Sequence, residues 1–158
     1  MTNITIKQKP ILSKQSDILK EIPDKLIIDL TNSIQAKGKS ASGKTIAALE
    51  SAANDDSSKL LAPKHITALE AGRKPTRPGA PTGDPTLLEI IKDWCQVRGI
   101  DEGMAYPITK NIHEKGYPGT PGVLTEPLGN ANVNKRVDES LGKLAALVTN
   151  EFGNLLGL

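Results

Sequence analysis

The chain has few of the residue types on which disulfide-rich domains and metal sites depend. Its one cysteine, Cys95, cannot form a disulfide within the chain. Its two histidines, His65 and His113, do not have the spacing of a metal-binding pair, so a zinc site lacks a ligand set. Aromatic residues make up only 3% of the chain, so its core must consist of Leu, Ile, Val and Ala. Such a small apolar inventory indicates that a neighbouring subunit or partner completes some of the burial.

The sequence also lacks the segments that carry a chain to or across a membrane. Its start, MTNITIKQKP, has no apolar signal-peptide region, and no apolar run reaches the length of a membrane span. We therefore expect a soluble protein of intracellular origin. The length of 158 residues is that of one domain with its own core. The net charge of +2 does not indicate nucleic-acid binding, which would require the basic residues to be concentrated on one face.

Catalytic motifs are missing as well. Asp55 and Asp56 lie in a turn sequence and do not form an acid–base couple held in a defined frame. No G-x-S-x-G nucleophile elbow occurs. We predict a protein that is not an enzyme, with no catalytic residues, no metal and no cofactor.

One motif for a chemical function is matched completely. Residues 38–45, GKSASGKT, fit the phosphate-binding pattern G-x-x-x-x-G-K-[ST], in which Lys44 would reach phosphates and Thr45 would hold magnesium. A P-loop follows a buried parallel strand, whereas residues 26–34 have helical periodicity. We therefore predict a glycine- and serine-rich turn, with a P-loop nucleotide-binding protein that uses Gly38 to Thr45 as an alternative function.

The most strongly marked helix is predicted from Pro85 to Arg98. Asp84 offers an N-cap carboxylate, and Pro85 suits the first helical position because its missing N–H is not needed there. Gly99 can take the left-handed conformation that ends helices. One apolar stripe runs along this helix, with Cys95 as a core residue; its members are Leu87, Leu88, Ile91, Trp94 and Cys95.

A loop rich in proline, glycine and basic residues precedes this helix, at residues 73–84. Proline fixes φ and donates no hydrogen bond, so the loop can be neither a helix nor a central strand. A loop of this length is uncommon in a compact domain unless it contacts something. We predict an arm that contacts a partner, and a solvated connector is the alternative. The predicted contact residues are Arg73, Lys74, Pro75, Arg77 and Pro78.

The long C-terminal helix is predicted to begin at Asn132. Its apolar residues recur in steps of three and four, which is typical of a narrow seam that packs on another helix: Val133, Val137, Leu141, Leu144, Val148, Phe152 and Leu155. We predict that the central members of this seam contact a partner, with core packing inside the subunit as the alternative. These candidate contact residues are Val137, Leu141, Leu144 and Val148.

The other elements are predicted from periodicity and from glycine and proline. An N-terminal arm over residues 1–16 precedes a helix over 17–35, which is kinked or restarted at Pro23 and ended by Gly38. A hairpin of residues 45–53 with 59–62 follows, and then helical turns over 65–71 that Gly72 closes. A helix from Asp101 or Glu102 to Gly116, with Pro107 in its first turns, leads to an irregular stretch over 117–130.

Several short pieces in order resemble the tail-completion or neck proteins of tailed bacteriophages, which form part of the head–tail connector. The pieces are Leu69-Glu70-x-Gly72-Arg73-x-Pro75-Thr76, the residues Leu87, Ile90 and Trp94, Arg98-Gly99-Ile100, and Ala105-Tyr106-x-Ile108-x-x-x-Ile112-His113-x-x-Gly116. Ser33-Ile34 and Ala41-Ser42-Gly43-Lys44-Thr45 also fit. The resemblance covers roughly residues 30–117. Pro107 and Tyr117-Pro118 depart from it, and residues 118–158 match nothing in it.

The resemblance implies helices packed on a small antiparallel β-sheet. With the extended loops and the long C-terminal helix predicted above, the expected fold class is α+β. Together, these predictions divide the chain into an N-terminal arm (residues 1–16), a tail-completion-like domain (17–117) and an irregular loop with the C-terminal helix (118–158). The resemblance also implies a virion structural protein that assembles as a homo-oligomeric ring in the host cytoplasm. The expected partners are portal, adaptor or tail-tube proteins, with possible contact to channel DNA and none to a membrane. Whether the basic loop meets acidic protein or DNA phosphate is left open, as is a small nucleic-acid-binding module as the function.

Overall fold

The computed structural model describes residues 9–40, 42–54 and 57–156. The fold is α+β, with a two-stranded antiparallel sheet and a long C-terminal helix, as the sequence predicts. The helices are α1 (Lys9–Ala36), α2 (Lys44–Ala47), α3 (Thr67–Ala71), α4 (Leu87–Arg98), α5 (Ala105–Lys115) and α6 (Asn130–Leu156), and the strands are β1 (Glu50–Ala53) and β2 (Ser58–Leu61). The described residues form two compact units, the first within residues 9–30, 49–62 and 127–156 and the second within residues 31–48 and 63–126.

The first unit contains an antiparallel helix pair made by α1 and α6. Three ion pairs join the helices: Glu21 with Lys143, Lys25 with Glu139, and Asp29 with Arg136. This order of partners shows that the two helices run in opposite directions. The helix predicted over residues 17–35 begins earlier, at Lys9, so residues 9–16 of the predicted N-terminal arm are helical; residues 1–8 lie outside the described residues. The helix also continues through the buried Pro23 without a restart.

The β-hairpin belongs to the same unit. Glu50 pairs with Leu61 and Ala53 with Ser58, which confirms the predicted hairpin. The side chain of Asn54 closes the turn, because its Oδ1 accepts hydrogen bonds from the backbone N–H (2.7 Å) and the hydroxyl (2.9 Å) of Ser57. The predicted start of the first strand at residue 45 is wrong. Residues 45–47 form a helical turn, since the N–H of Ala47 donates to the carbonyl of Gly43 at 2.9 Å.

In the second unit, α4 packs against α5, and Cys95 is fully buried, as expected for a core residue. The predicted cap of α4 by Asp84 is wrong. Thr86 is the N-cap: its hydroxyl accepts from the N–H of Glu89, and the Glu89 carboxylate accepts from the N–H of Thr86 at 2.8 Å. This reciprocal capping box satisfies two exposed N–H groups at once, which Asp84 does not do. At the other end Gly99 takes the predicted left-handed conformation, with φ of 67°.

The remaining helices of the second unit end at the predicted glycines. A 3₁₀ turn over Lys64–Ile66 leads into α3, which Gly72 ends. A second 3₁₀ turn, Glu102–Met104, leads into α5, which Gly116 ends. Pro107 is the third residue of α5, where the backbone N–H has no partner within the helix, so it is accommodated there. The stretch before α6 is irregular, as predicted, although α6 begins at Asn130 and not at Asn132.

Candidate interaction surfaces

A dense set of backbone hydrogen bonds joins residues 69–76 to residues 113–125 in the second unit; we call this contact the junction. The N–H groups of Arg73 and Tyr117 donate to each other's carbonyl groups, at 3.0 and 2.9 Å. The N–H of Thr76 donates to the carbonyl of His113 at 2.8 Å, and that of Thr120 donates to the carbonyl of Leu69 at 2.9 Å. These bonds hold the first residues of the basic loop against the end of α5.

Glycine is required where the two segments of the junction come closest. A Cβ atom on Gly116 would overlap the carbonyl oxygen of Arg73, and one on Gly119 would overlap that of Glu70. Gly116 also has a φ of 72°, a backbone conformation that side-chain-bearing residues rarely adopt. The glycines therefore permit a backbone-to-backbone approach that no other residue allows.

The carboxylate of Glu70 holds the second half of the junction. It accepts hydrogen bonds from the Thr125 hydroxyl (2.6 Å) and from the N–H groups of Thr125 (2.9 Å), Leu124 (2.8 Å) and Gly122 (3.2 Å). The Thr125 hydroxyl, followed by these backbone donors, lowers the pKa of Glu70 to about 2, and partial burial opposes the shift. Sequence reasoning did not identify Glu70 as a structural residue, and its only signal was its place in the resemblance.

The basic loop leaves the junction as an irregular segment, as its prolines predict. Residues 77–85 are all exposed, as are Lys74 and Pro75, whereas Arg73 is half-buried. The Thr76 hydroxyl lies 2.7 Å from Nδ1 of His113 and 3.3 Å from Nη2 of Arg73. The loop is therefore held at one end by the junction and at the other by the capping box of α4, while the predicted contact residues Lys74, Pro75, Arg77 and Pro78 face solvent.

The predicted seam of α6 divides into two faces in the first unit. Val133, Val137 and Leu144 are half-buried, like Arg136 and Glu139, whose side chains bond to α1. The other face exposes apolar side chains to solvent, and we call it the exposed α6 face. Its members are Leu141 (53% exposed), Val148 (37%), Phe152 (62%) and Leu156 (70%). Of the four predicted contact residues, Leu141 and Val148 thus face outward, and Val137 and Leu144 are half-buried. The Leu155 side chain lies outside what the structure describes.

Ion pairs with good geometry link α6 to α1. The Arg136 guanidinium donates to both carboxylate oxygens of Asp29, at 2.9 and 2.8 Å, and the Asn132 amide adds a bond of 2.8 Å to the same carboxylate. The Arg136 hydrogen bonds lower the pKa of Asp29. Lys25 lies 2.9 Å from Glu139 and lowers the pKa of Glu139 in the same way.

The glycine-rich segment at residues 38–45 does not have the surroundings of a P-loop. It follows the long helix α1, whereas a P-loop follows a strand, and the helix that it opens, α2, has only four residues. Lys44 lies 3.8 Å from Asp93, and the Thr45 hydroxyl lies 3.2 Å from Nε2 of His65. The structure therefore gives the nucleotide-binding alternative no supporting framework.

Among the described residues, the pocket and the acidic and histidine side chains do not form a further candidate site. An open pocket is lined by Leu88, Lys92, Glu102, Gly103 and Tyr106, and its two charged residues are paired with each other at 2.9 Å. No three potential metal ligands come together among the residues that the structure describes. Over the same residues, no helix has the combination of length and apolar character that crossing a bilayer requires.

The chain matches no family model, no curated protein and no solved structure. The likeness to phage neck proteins therefore depends on the residues quoted above. Two of those pieces, residues 69–76 and 105–116, meet at the junction, where the N–H of Thr76 donates to the carbonyl of His113 and Gly116 lies against the carbonyl oxygen of Arg73.

Proposed function

We propose that this chain is a virion structural protein of a tailed phage, a subunit that assembles as a ring in the head–tail connector, neck or tail. Its role is assembly and not catalysis. Its partners are identical subunits and the portal, adaptor or tail-tube proteins of the same particle. Each of these contacts buries surface that is open in the isolated chain.

The observation that carries this proposal is the exposure of large apolar side chains, most of them on helices. Among the described residues, twelve large apolar side chains are at least 37% exposed, whereas only eight apolar residues are buried. Four of the exposed ones form the exposed α6 face, and Ile90 and Val97 lie two turns apart on α4. Apolar surface gains about 25 cal/mol per Å² when it leaves water, so such faces favour association with a partner.

The junction supports the more specific part of the proposal, the likeness to neck proteins. The two longest pieces of that likeness are separate in the sequence, yet they contribute the two sides of one contact. Gly72 and Gly116 each have a positive φ and no room for a side chain. The contact therefore explains why both pieces of the likeness contain a glycine at these positions. A pattern that specifies one packed structure is stronger support than the same number of scattered matches.

The test is the assembly state of the purified chain, alone and mixed with candidate portal and tail proteins, measured by sedimentation velocity and native mass spectrometry. We expect a defined oligomer that the double variant Val148→Glu/Phe152→Glu abolishes. The matched control is Asn150→Glu/Asn154→Glu, which adds the same charge at the same spacing to exposed positions of α6. The control should assemble like the wild type. A wild-type chain that stays monomeric at every concentration and with every partner contradicts the proposal.

A further inference from the structure

Four cationic side chains without an acidic partner belong to the junction and the start of the basic loop. In much of the chain, cations are paired: Lys25, Lys37, Lys44, Lys92, Arg136 and Lys143 each lie within 4 Å of a carboxylate. Arg73, Lys74, Arg77 and Lys115 form no ion pair among the residues that the structure describes. The other described cations without one are spread along the chain: Lys20, Lys39, Lys59, Lys64, Arg98 and Lys135. We call the first four residues, Arg73, Lys74, Arg77 and Lys115, the cationic cluster.

The backbone of the junction brings this cluster together from two segments. Arg73 and Tyr117 are joined by a pair of backbone hydrogen bonds, and Lys74 and Gly116 stand beside that pair, since a Cβ on Gly116 would lie 3.0 Å from the carbonyl carbon of Lys74. Lys115 is the last residue of α5, directly before Gly116. Arg77 follows Thr76, whose N–H and hydroxyl bond to His113.

The surface around the cluster is open, and its four cations outnumber the two carboxylates of the adjoining segments, Glu70 and Glu114. Lys74, Arg77 and Lys115 are exposed, and Arg73 is half-buried. The acidic residue nearest in sequence to Lys115, Glu114, lies 3.9 Å from Lys110 and so has a cation of its own. The mild net charge of the whole chain therefore hides a local concentration of positive charge, which is the arrangement that a nucleic-acid interface requires.

We infer that the cationic cluster binds the phosphate backbone of double-stranded nucleic acid without reading its sequence. Residues 73–85 contain no Asn or Gln, so the loop has no amide to read base edges by bidentate hydrogen bonds. They contain no aromatic residue either, and the exposed Tyr117 beside the cluster is a single ring, whereas single-strand binders stack successive bases on several rings. Arg and Lys side chains held on a proline-rich loop suit contacts to phosphate, which fix a protein on a duplex independently of base sequence.

A second copy of the chain is a poorer match for this surface. The outward-facing Asp17 and Asp24 of α1 are separated by the exposed Lys20, and Asp138 of α6 is near Lys135 in the sequence. Mixed charges of this kind do not offer four cations a set of anions at close spacing, whereas a phosphate backbone does. The inference does not depend on ring assembly, because a monomer carries the complete cluster.

The test is the salt dependence of binding to a fluorescein-labelled 20-base-pair duplex of random sequence, measured by fluorescence anisotropy from 50 to 200 mM KCl. Four phosphate contacts predict a slope of about −3.6 in log affinity against log salt concentration, which is a loss of about 10²-fold over this range. A slope near zero overturns the inference. So does tighter binding of poly-glutamate, at equal charge concentration, because the surface would then fit an acidic protein.

The matched variants each remove three positive charges. Lys74→Gln/Arg77→Gln/Lys115→Gln should reduce the magnitude of the slope by about 2.7, whereas Lys20→Gln/Lys39→Gln/Lys59→Gln, at exposed lysines of separate elements, should leave it unchanged. Equal losses in both variants overturn the inference. If the first variant unfolds, Lys115→Gln alone should reduce the slope by about 0.9, and no change there overturns the inference as well. Native mass spectrometry of the same samples reports ring assembly separately, so a failure of either proposal is visible by itself.

Discussion

The junction and the α1–α6 pair both join segments that are distant in the sequence, but they do so by different chemistry. The junction is made mostly by backbone groups, and Gly116 and Gly119 allow its segments to approach. The helix pair is joined by charged side chains, with Arg136 and Asp29 at its centre. The first contact thus depends on the absence of side chains at two glycines and on the one carboxylate of Glu70, whereas the second depends on several charged side chains. Adding a methyl group should therefore disrupt the junction, and removing a charge should weaken the helix pair.

The largest expected effect comes from adding one methyl group to the junction. Gly116→Ala places a Cβ on the Arg73 carbonyl oxygen at a φ of 72°, so we expect a loss of about 3 kcal/mol or more in the free energy of unfolding, measured in urea. The control is Gly142→Ala in α6, where a Cβ has open space; it should stabilise the chain by about 0.5–1 kcal/mol. A stabilising effect at Gly116 would mean that the segments are not in close contact.

The second prediction concerns the acid sensitivity that Glu70 gives to the junction. Its pKa is about 2 in the folded chain against 4.5 for an ordinary glutamate, so its contribution to stability is complete above pH 4.5 and is lost as the pH falls from 4.5 towards 2. Glu70→Gln should therefore be less stable than the wild type at pH 7, and the difference should shrink over this range in urea unfolding. Glu50→Gln, at an exposed position of β1, should show no such convergence. A difference for Glu70→Gln that stays constant with pH would be evidence against the carboxylate bonds.

In the helix pair, removing one charge should have a moderate effect. Asp29→Asn retains the side-chain size but loses the charge that receives both hydrogen bonds of Arg136, so we expect a loss of about 1 kcal/mol in the free energy of unfolding. Asp17→Asn, on the exposed side of the same helix, should change it by less than about 0.5 kcal/mol. Equal effects of the two variants would show that the ion pair does not stabilise the helix contact.

The smallest effect is expected for a side chain within the junction. Thr76→Val removes the hydroxyl near His113 and leaves the backbone bond of Thr76 to the His113 carbonyl, so we expect a loss of only about 0.5 kcal/mol. The same urea unfolding experiment measures it. An effect larger than that of Asp29→Asn would reverse the comparison, because side chains would then dominate the junction too.

Local chemistry made much of the fold predictable from sequence. Gly99 and Gly116 end their helices as predicted, since a positive φ is a property of one residue. Pro75, Pro78 and Pro81 correctly excluded regular structure from the basic loop. The errors lie at element starts. Thr86 and not Asp84 caps α4, because the choice depends on a reciprocal bond with Glu89 that a single residue preference does not express.

The interaction surfaces were less predictable, because they depend on which segments meet. The bonds of Arg73 with Tyr117 leave no periodic pattern, and only the family resemblance grouped these segments. On α6, steps of three and four residues merged Leu144, on the half-buried face, with Leu141, on the exposed one. The two faces separate only when the partner helix is known. The grouping of Lys115 with the cations of the basic loop could not be predicted for the same reason, since Lys115 is 38 positions after Arg77 in the sequence.

The attachment of the basic loop at both ends has a consequence for how such a protein can diversify. The backbone bond of Thr76 to His113 fixes where the loop leaves, and the capping box of Thr86 fixes where it returns. Residues 77–85 between these points are all exposed and are not part of either anchor. Related chains can therefore exchange, lengthen or shorten this segment to suit a new binding target while the scaffold on both sides keeps its structure. It is also the natural place to insert an affinity tag or a fluorescent label.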